Sequence, residues 1–229
     1  MSPEAQPIYL LADSQLLFWQ NGDARLLESI ARRAQATALR AAYIGASNGD
    51  APEYYDIFVA AVSAVGVNDC RMIRSSFSSE DEAFLNGADI VLLAGGDVAA
   101  GWKIIDETGM KDAVISRYHA GATIIGVSAG AVQLGMYGLS EERDVTATLL
   151  ETFKLCPFVI GAHDEGDDWR SLTNVVRMLE GSVQGVGIPA GGGVVYHPNG
   201  ELEPVRKAAH HVLLRGREVV TSILLPSRH

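Results

Sequence analysis

Two stretches of the chain, DIVLLAGG (89–96) and ATIIGVS (122–128), are apolar almost throughout and rich in β-branched residues. A strand without a polar face has to be covered on both sides. That favours a parallel sheet sandwiched between helices over an antiparallel sheet with one wet face. PIYLLA (7–12), LRAAYIGAS (39–47) and CRMIRS (70–75) are further short strand-like runs. The segments between them, 24–36, 53–66, 79–88 and 101–121, carry helical apolar spacing, the last as one helix or two. Strands alternating with helices predict an α/β fold: a mostly parallel central sheet flanked by helices.

The pattern loosens after Gly138, once AGAVQLGMYG (129–138) has continued the 122–128 strand as a helix. FVIGAHDEG (158–166) reads as a strand entering an acidic loop, and 168–181 as an amphipathic helix. C-terminal β-hairpins follow. A strand, a glycine turn and a second strand lead to a turn at Pro198-Asn199-Gly200, and two last strands flank Gly216. With 229 residues, 48% of them hydrophobic, and no repeat or linker, one domain over 1–229 is expected.

The net charge of −10 disfavours a nucleic-acid partner, because phosphate binding needs clustered Lys and Arg. Cys70 and Cys156 lie far apart without metal-ligand spacing and read as buried thiols of a reducing compartment. The N-terminus lacks the basic and apolar regions of a signal peptide, and no run approaches a membrane span. A cytoplasmic location away from membranes is therefore expected. No Walker or G-x-G-x-x-G pattern is present, so no nucleotide cofactor is indicated, and without paired metal-ligand spacing no metal is expected.

Parallel α/β sheets bind ligands beyond the carboxyl ends of their strands. That singles out 47–50, 95–97, 128–130 and 161–165. Gly126-Val-Ser-Ala-Gly130 fits the G-x-S-x-G elbow, in which small neighbours let a serine sit on a tight strand-to-helix turn with its hydroxyl projecting. The bland alternative is a small-residue strand–helix junction. As a nucleophile, Ser128 would find one oxyanion donor in the N–H of Ala129 and a second in that of Gly96, where no side chain intervenes. Asn48 and Asp50 are pocket candidates, although Asn-Gly-Asp reads first as an ordinary turn. His163, at a strand end, is the candidate base. His119, His197, His210, His211 and His229 look incidental, and Tyr54, Tyr55, Trp102 and Trp169 are assigned to packing. Glycines 191–193 suit either a mobile flap or a hairpin corner.

Together LLAGGD (92–97), IIGVSAGA (124–131), FVIGAHD (158–164) and GVGIPAG (185–191) resemble the peptidase E/cyanophycinase serine peptidases. The resemblance implies a class I glutamine amidotransferase-like fold and hydrolysis of an amide in a small peptide or isopeptide. It places Ser128 as nucleophile, His163 as base, and Gly96 and Ala129 as oxyanion donors. Asp97 belongs to the same glycine motif and is carried as a substrate-binding candidate with Asn48. Arg170 resembles the arginine that binds an aspartyl side chain in peptidase E; its alternative is a solvated helix arginine.

One departure stands out. The resemblance implies a glutamate that orients the histidine, and Ala190 occupies that position. Loss of such an acceptor costs about 10⁴-fold in the serine-protease case. Asp164, Glu165, Asp167, Asp168 or Asp144 is the candidate substitute; a Ser–His dyad or a site reduced to ligand binding are the alternatives. Asp164 also stands where the family commonly has phenylalanine; the acidic HDEGDD loop would repel an acidic substrate and favour a basic group, its alternative being a solvated charged loop. The expected partner is a small peptide or amide, with an ester as a weaker alternative; a homodimer is left open.

Overall fold

The computed structural model describes residues 5–22, 24–33, 38–140 and 148–227. The N-terminal half runs β1 (Ile8–Leu11), β2 (Gln20–Asn21), β3 (Ala24–Arg25), α1 (Leu26–Arg33), β4 (Arg40–Ile44), α2 (Pro52–Ser63), β5 (Asp69–Ile73), α3 (Ser79–Leu85) and β6 (Ile90–Leu93). It continues through α4 (Val98–Thr108), α5 (Met110–His119), β7 (Thr123–Val127) and α6 (Ala129–Leu134). The remainder is β8 (Tyr137–Ser140), β9 (Thr148–Glu151), β10 (Phe158–Ala162), α7 (Arg170–Met178), β11 (Gln184–Ile188), β12 (Gly193–Tyr196), β13 (Leu202–Val205), β14 (Ala209–Arg215) and β15 (Glu218–Leu224).

The main sheet has seven strands in the order β13-β12-β1-β7-β6-β4-β5. From β1 to β5 the pairing is parallel, and the β12/β13 hairpin adds an antiparallel edge beside β1. The all-apolar strands are buried as their composition requires. Ile8, Leu10, Ala42, Ile44, Val91, Leu93 and Ile124 face one layer, which contains Trp102, Ile105, Met110 and Val114 of α4 and α5. Their neighbours Tyr9, Leu11, Ala41, Tyr43, Ile90, Leu92 and Ile125 face the other, with Leu27 and Ile30 of α1 and Phe58 and Val62 of α2. The period of two thus places consecutive apolar residues in two separate cores.

Three features differ from the sequence reading. The 161–165 segment does not extend the parallel sheet: β10 lies in a second, four-stranded sheet ordered β10-β11-β14-β15. Ile160, Val186 and Ile188 of that sheet pack into the same core as Ile8, Leu10 and Val194, so the two sheets share one apolar layer. The helix expected over 129–138 stops at Leu134, because Gly135 is extended and Met136 N–H donates to the Phe158 carbonyl (2.8 Å). The chain then forms β8, which pairs with β9 in a hairpin whose alternation did not stand out in the sequence. The expected helix 24–36 begins only at Leu26, after the short β2/β3 ribbon. Among the described residues no helix is long and apolar enough to cross a membrane.

α7 lies on the second sheet because β11 carries glycines where the helix approaches. A Cβ at Gly187 would stand 2.7 Å from the Trp169 ring. The indole is 6% exposed and also meets the His210 ring at 5.1 Å. Trp169→Ala is expected to lower stability by about 3 to 5 kcal/mol, since the void cannot close onto a glycine strand. Urea unfolding followed by far-UV circular dichroism measures it.

Candidate active site

The carboxyl ends of β1, β4, β6 and β7 lie side by side, and the chain leaves each through small or polar residues. Ser128 follows β7 directly. Its N–H donates to the Leu11 carbonyl (2.8 Å), which carries the sheet pairing one residue beyond the strand. Its backbone then turns to φ 50, ψ −109, outside the ordinary range of an L-residue, and α6 starts at Ala129. Such strain costs on the order of 1–3 kcal/mol and persists only where the surroundings over-determine it. Close packing supplies that determination: a Cβ at Gly130 would lie 2.2 Å from the Leu93 carbonyl oxygen. α6 therefore rests on the backbone of β6, and Ser128 is held at the rim.

His163 arrives from the other sheet. It follows β10, and its N–H donates to the Ile188 carbonyl (2.8 Å), so β11 fixes where the strand ends. Its φ of 46 swings the side chain across to the serine, and Ser128 Oγ lies 2.7 Å from His163 Nε2. Among the described residues no group bonds the other ring nitrogen, Nδ1. The carboxylates offered by the sequence are engaged elsewhere or stand apart. Asp164 accepts from the Ser171 N–H (3.3 Å) and Glu165 from the Ala190 N–H (2.9 Å). Asp167 and Asp168 form a 3-10 turn and its left-handed end, without a bond to the imidazole. Asp144 lies outside the described residues.

The 189–192 turn is a corner held by hydrogen bonds from three sides. Gly191 N–H donates to Asp13 Oδ2 (2.5 Å), Lys207 Nζ to the Ala190 carbonyl (2.6 Å), and Gly192 N–H to the Pro189 carbonyl (2.8 Å). Together with Glu165, these bonds tie the end of β1, the histidine loop and the C-terminal strands into one polar knot.

Gly96 adopts φ 136, and a Cβ there would overlap the Ser47 carbonyl oxygen at 1.9 Å. Asp97 N–H donates to that same carbonyl (2.8 Å), and the Asp97 carboxylate caps α4 at the Ala100 N–H (2.8 Å). Gly95 passes close to Ser128: an added Cβ would be 3.3 Å from the serine Cβ, tighter than ordinary van der Waals contact. Among the described residues the N–H groups of Gly96 and Ala129 donate to no other group. Gln133, fully buried on α6, donates to Ser47 Oγ and to the Val98 carbonyl (3.0 Å each) and so braces this loop.

Two cavities meet at His163. The smaller, about 280 Å³, touches Ser128, Gly95, Gly96, Asn48 and Asp13. The larger, about 920 Å³, touches Asp97, Lys103, Asp164 and Ser171. Asn48 Nδ2 donates to the Tyr43 hydroxyl (2.8 Å) inside the small cavity, and burial pushes the Tyr43 phenol up to about 12. Arg170 is exposed at the start of α7 and lines neither cavity. Tyr54, assigned to packing from sequence, is instead 51% exposed and lines the small cavity. Asp50, the other turn candidate, bonds the Ser75 N–H (2.8 Å) and lines neither cavity. Sequence reasoning missed Asp13, Tyr43, Ile57 and Gln133. Asp13 had a usable signal, since it lies next to the carboxyl end of the predicted strand 7–12. Among the described residues no cluster of three or more His, Cys, Asp or Glu side chains suits a metal ion.

The family model described as Peptidase family S51 matches residues 11–200. No curated protein matches the chain. Among solved structures, a peptidase from an acI-B1 Actinobacterium aligns with a TM-score of 0.71 at 13% identity, covering 98% of this chain and 96% of that one. A protein described as a peptidase E from Listeria monocytogenes EGD-e aligns with a TM-score of 0.58 at 16% identity, covering 96% of this chain and 100% of that one. At such identities the two structures establish the shared fold.

Gly96→Ala is expected to lower stability by about 2 to 4 kcal/mol, since it adds a main-chain clash to an unfavourable φ. A shift in the midpoint of chemical unfolding at unchanged slope measures it.

Proposed function

The chain belongs to peptidase family S51, and on that premise we propose that it is a serine peptidase hydrolysing an amide bond in a small peptide or isopeptide. The observation that carries the reading is the 2.7 Å approach of His163 Nε2 to the hydroxyl of a backbone-strained Ser128. In the proposed reaction Ser128 Oγ attacks the scissile carbonyl carbon while its proton passes to His163 Nε2. The carbonyl π electrons move onto oxygen, and the Gly96 and Ala129 N–H groups receive that charge. Collapse of the tetrahedral adduct breaks the C–N bond, and the imidazolium returns the proton to the leaving amine. A water then attacks the acyl ester, giving one proton to the imidazole. That proton returns to Ser128 Oγ as the acid departs.

The clamped turn supports a site kept in working geometry. His163 is anchored through its own N–H to β11, and β11 runs into the corner gripped by Asp13, Glu165 and Lys207. Backbone anchoring then does part of the work that an orienting carboxylate does in a triad.

A second reading is favoured by one observation. Nδ1 of His163 is without a carboxylate among the described residues, and Ala190 stands where the resemblance implies a glutamate. On that reading the pocket binds a small ligand without turning it over.

An active-site-directed phosphonate separates the two. Covalent labelling of the wild type, seen by intact mass and lost in Ser128→Ala, supports the peptidase; an unlabelled, folded wild type supports the binding protein. His163→Ala is expected to slow labelling by about 100- to 10 000-fold, the usual weight of a general base. Among Glu165→Gln, Asp164→Asn and Asp144→Asn, a variant that lowers kcat by more than about 100-fold with KM unchanged identifies an orienting acid; uniform effects under about 10-fold identify a dyad.

A further inference from the structure

We infer that the small cavity beside Ser128 is the specificity pocket for the residue on the carbonyl side of the scissile bond, and that it selects an uncharged apolar side chain over an acidic or a basic one. The inference rests on the hydrolytic reading above and names its substrate class.

The two cavities at His163 have different chemistry and different access to the reacting atoms. Only the smaller one touches Ser128 and Gly96, so only it adjoins the atoms that would hold the acyl group. The larger touches His163 without reaching Ser128, Gly96 or Ala129, which is the position of a leaving group awaiting a proton. The acyl residue's side chain therefore enters the small cavity.

Its floor is hydrocarbon. Leu17 and Phe58 are 4% and 1% exposed, and Leu92 and Val127 complete the base. Ile57 and Tyr54 form the mouth and are 37% and 51% exposed, an apolar rim open to an entering side chain. The volume of about 280 Å³ is that of a side-chain subsite and falls below the range of whole-ligand pockets. Asn48 and the Tyr43 hydroxyl are bonded to each other, and the phenol stays neutral because burial raises its pKa.

Among the described residues that line it there is no lysine or arginine. Apart from the His163 imidazole, which is bonded to Ser128, its one ionisable group outside the tyrosines is Asp13, whose two oxygens accept from the Gln15 and Gly191 N–H groups. A substrate carboxylate there would lose its water, find no lysine or arginine to pair with and face a like charge on Asp13. A substrate guanidinium or ammonium would meet a carboxylate whose oxygens already hold hydrogen bonds, above an apolar floor that cannot satisfy its other donors. A Leu or Phe side chain incurs neither penalty. Arg170, the residue expected to hold an aspartyl side chain, lies outside this cavity.

Initial rates on Leu-Ala, Phe-Ala, Arg-Ala and Asp-Ala test the assignment. The larger kcat/KM of Leu-Ala and Phe-Ala is expected to exceed that of Asp-Ala and Arg-Ala by at least about 100-fold, the upper range for an apolar pocket. A preference for Asp-Ala or Arg-Ala, or parity among the four, overturns it. Calorimetric titration of the same dipeptides into Ser128→Ala keeps the question separate from turnover. Tighter binding of Phe-Ala than of Asp-Ala supports the pocket even where the phosphonate experiment fails, and equal, reversed or absent binding of Phe-Ala overturns it. Ile57→Arg, at an exposed rim position, is expected to lower the Phe-Ala to Asp-Ala ratio by at least about 10-fold by placing a cation at the mouth; an unchanged ratio in the folded variant overturns it.

Discussion

A helix that starts one residue after a fully buried strand has to turn back against the sheet within a single peptide unit. In this protein the turn falls on Ser128, and the geometry holds because α6 can lie on bare backbone. Gly130 sits so close to the Leu93 carbonyl that any side chain there would collide with it. The unusual φ and ψ of Ser128 follow from that contact and from the sheet bond to Leu11. The strain and the half-buried hydroxyl at the rim are two results of one packing constraint. The loop after β6 depends on the same constraint, since Gln133 of α6 braces Ser47, whose carbonyl in turn leaves room only for glycine at position 96.

The second requirement is that two sheets meet at one pair of atoms. Ser128 belongs to the parallel sheet and His163 to the four-stranded sheet, so their 2.7 Å approach depends on how the sheets are docked. The docking has an apolar and a polar component. Ile160, Val186 and Ile188 share a core with Ile8, Leu10 and Val194. At the rim, Asp13 from the end of β1 grips the 189–192 turn that follows β11, and Glu165 and Lys207 hold the same turn from either side. Charge-assisted bonds to backbone groups are directional, whereas apolar contact alone would let the sheets slide. The knot thus sets the relative position of Ser128 and His163 to within a hydrogen bond.

Much of this was legible in the chain. Runs such as IVLLA can only be strands covered on both faces, and the carboxyl-end rule singles out Ser47–Asn48, Gly95–Gly96 and Ser128. The serine motif was readable because small residues at 126 and 130 serve local backbone geometry, which is a short-range property. The β8/β9 hairpin, the division into two sheets and the early end of α6 were not readable. Each is decided by a partner far along the chain: Phe158 for the end of α6, Ile188 for the end of β10. Tyr54 was misassigned because an aromatic in an amphipathic helix looks the same whether it faces a core or a cavity mouth.

By itself, then, the sequence determined the alternation of strands and helices, the two-sided burial of the central strands, and the candidate serine, histidine and glycine loop. These follow from periodicity and from steric limits acting within a few residues. Only the tertiary structure decided that His163 reaches Ser128 from another sheet, that Asp13 and Glu165 bind the corner at Ala190–Gly191 and leave the imidazole alone, and that the cavity beside the serine has an apolar floor with no cation among its described lining residues. Those facts depend on distances between segments up to 178 residues apart. Such distances are set by the packing of the whole core, which local sequence pattern does not encode.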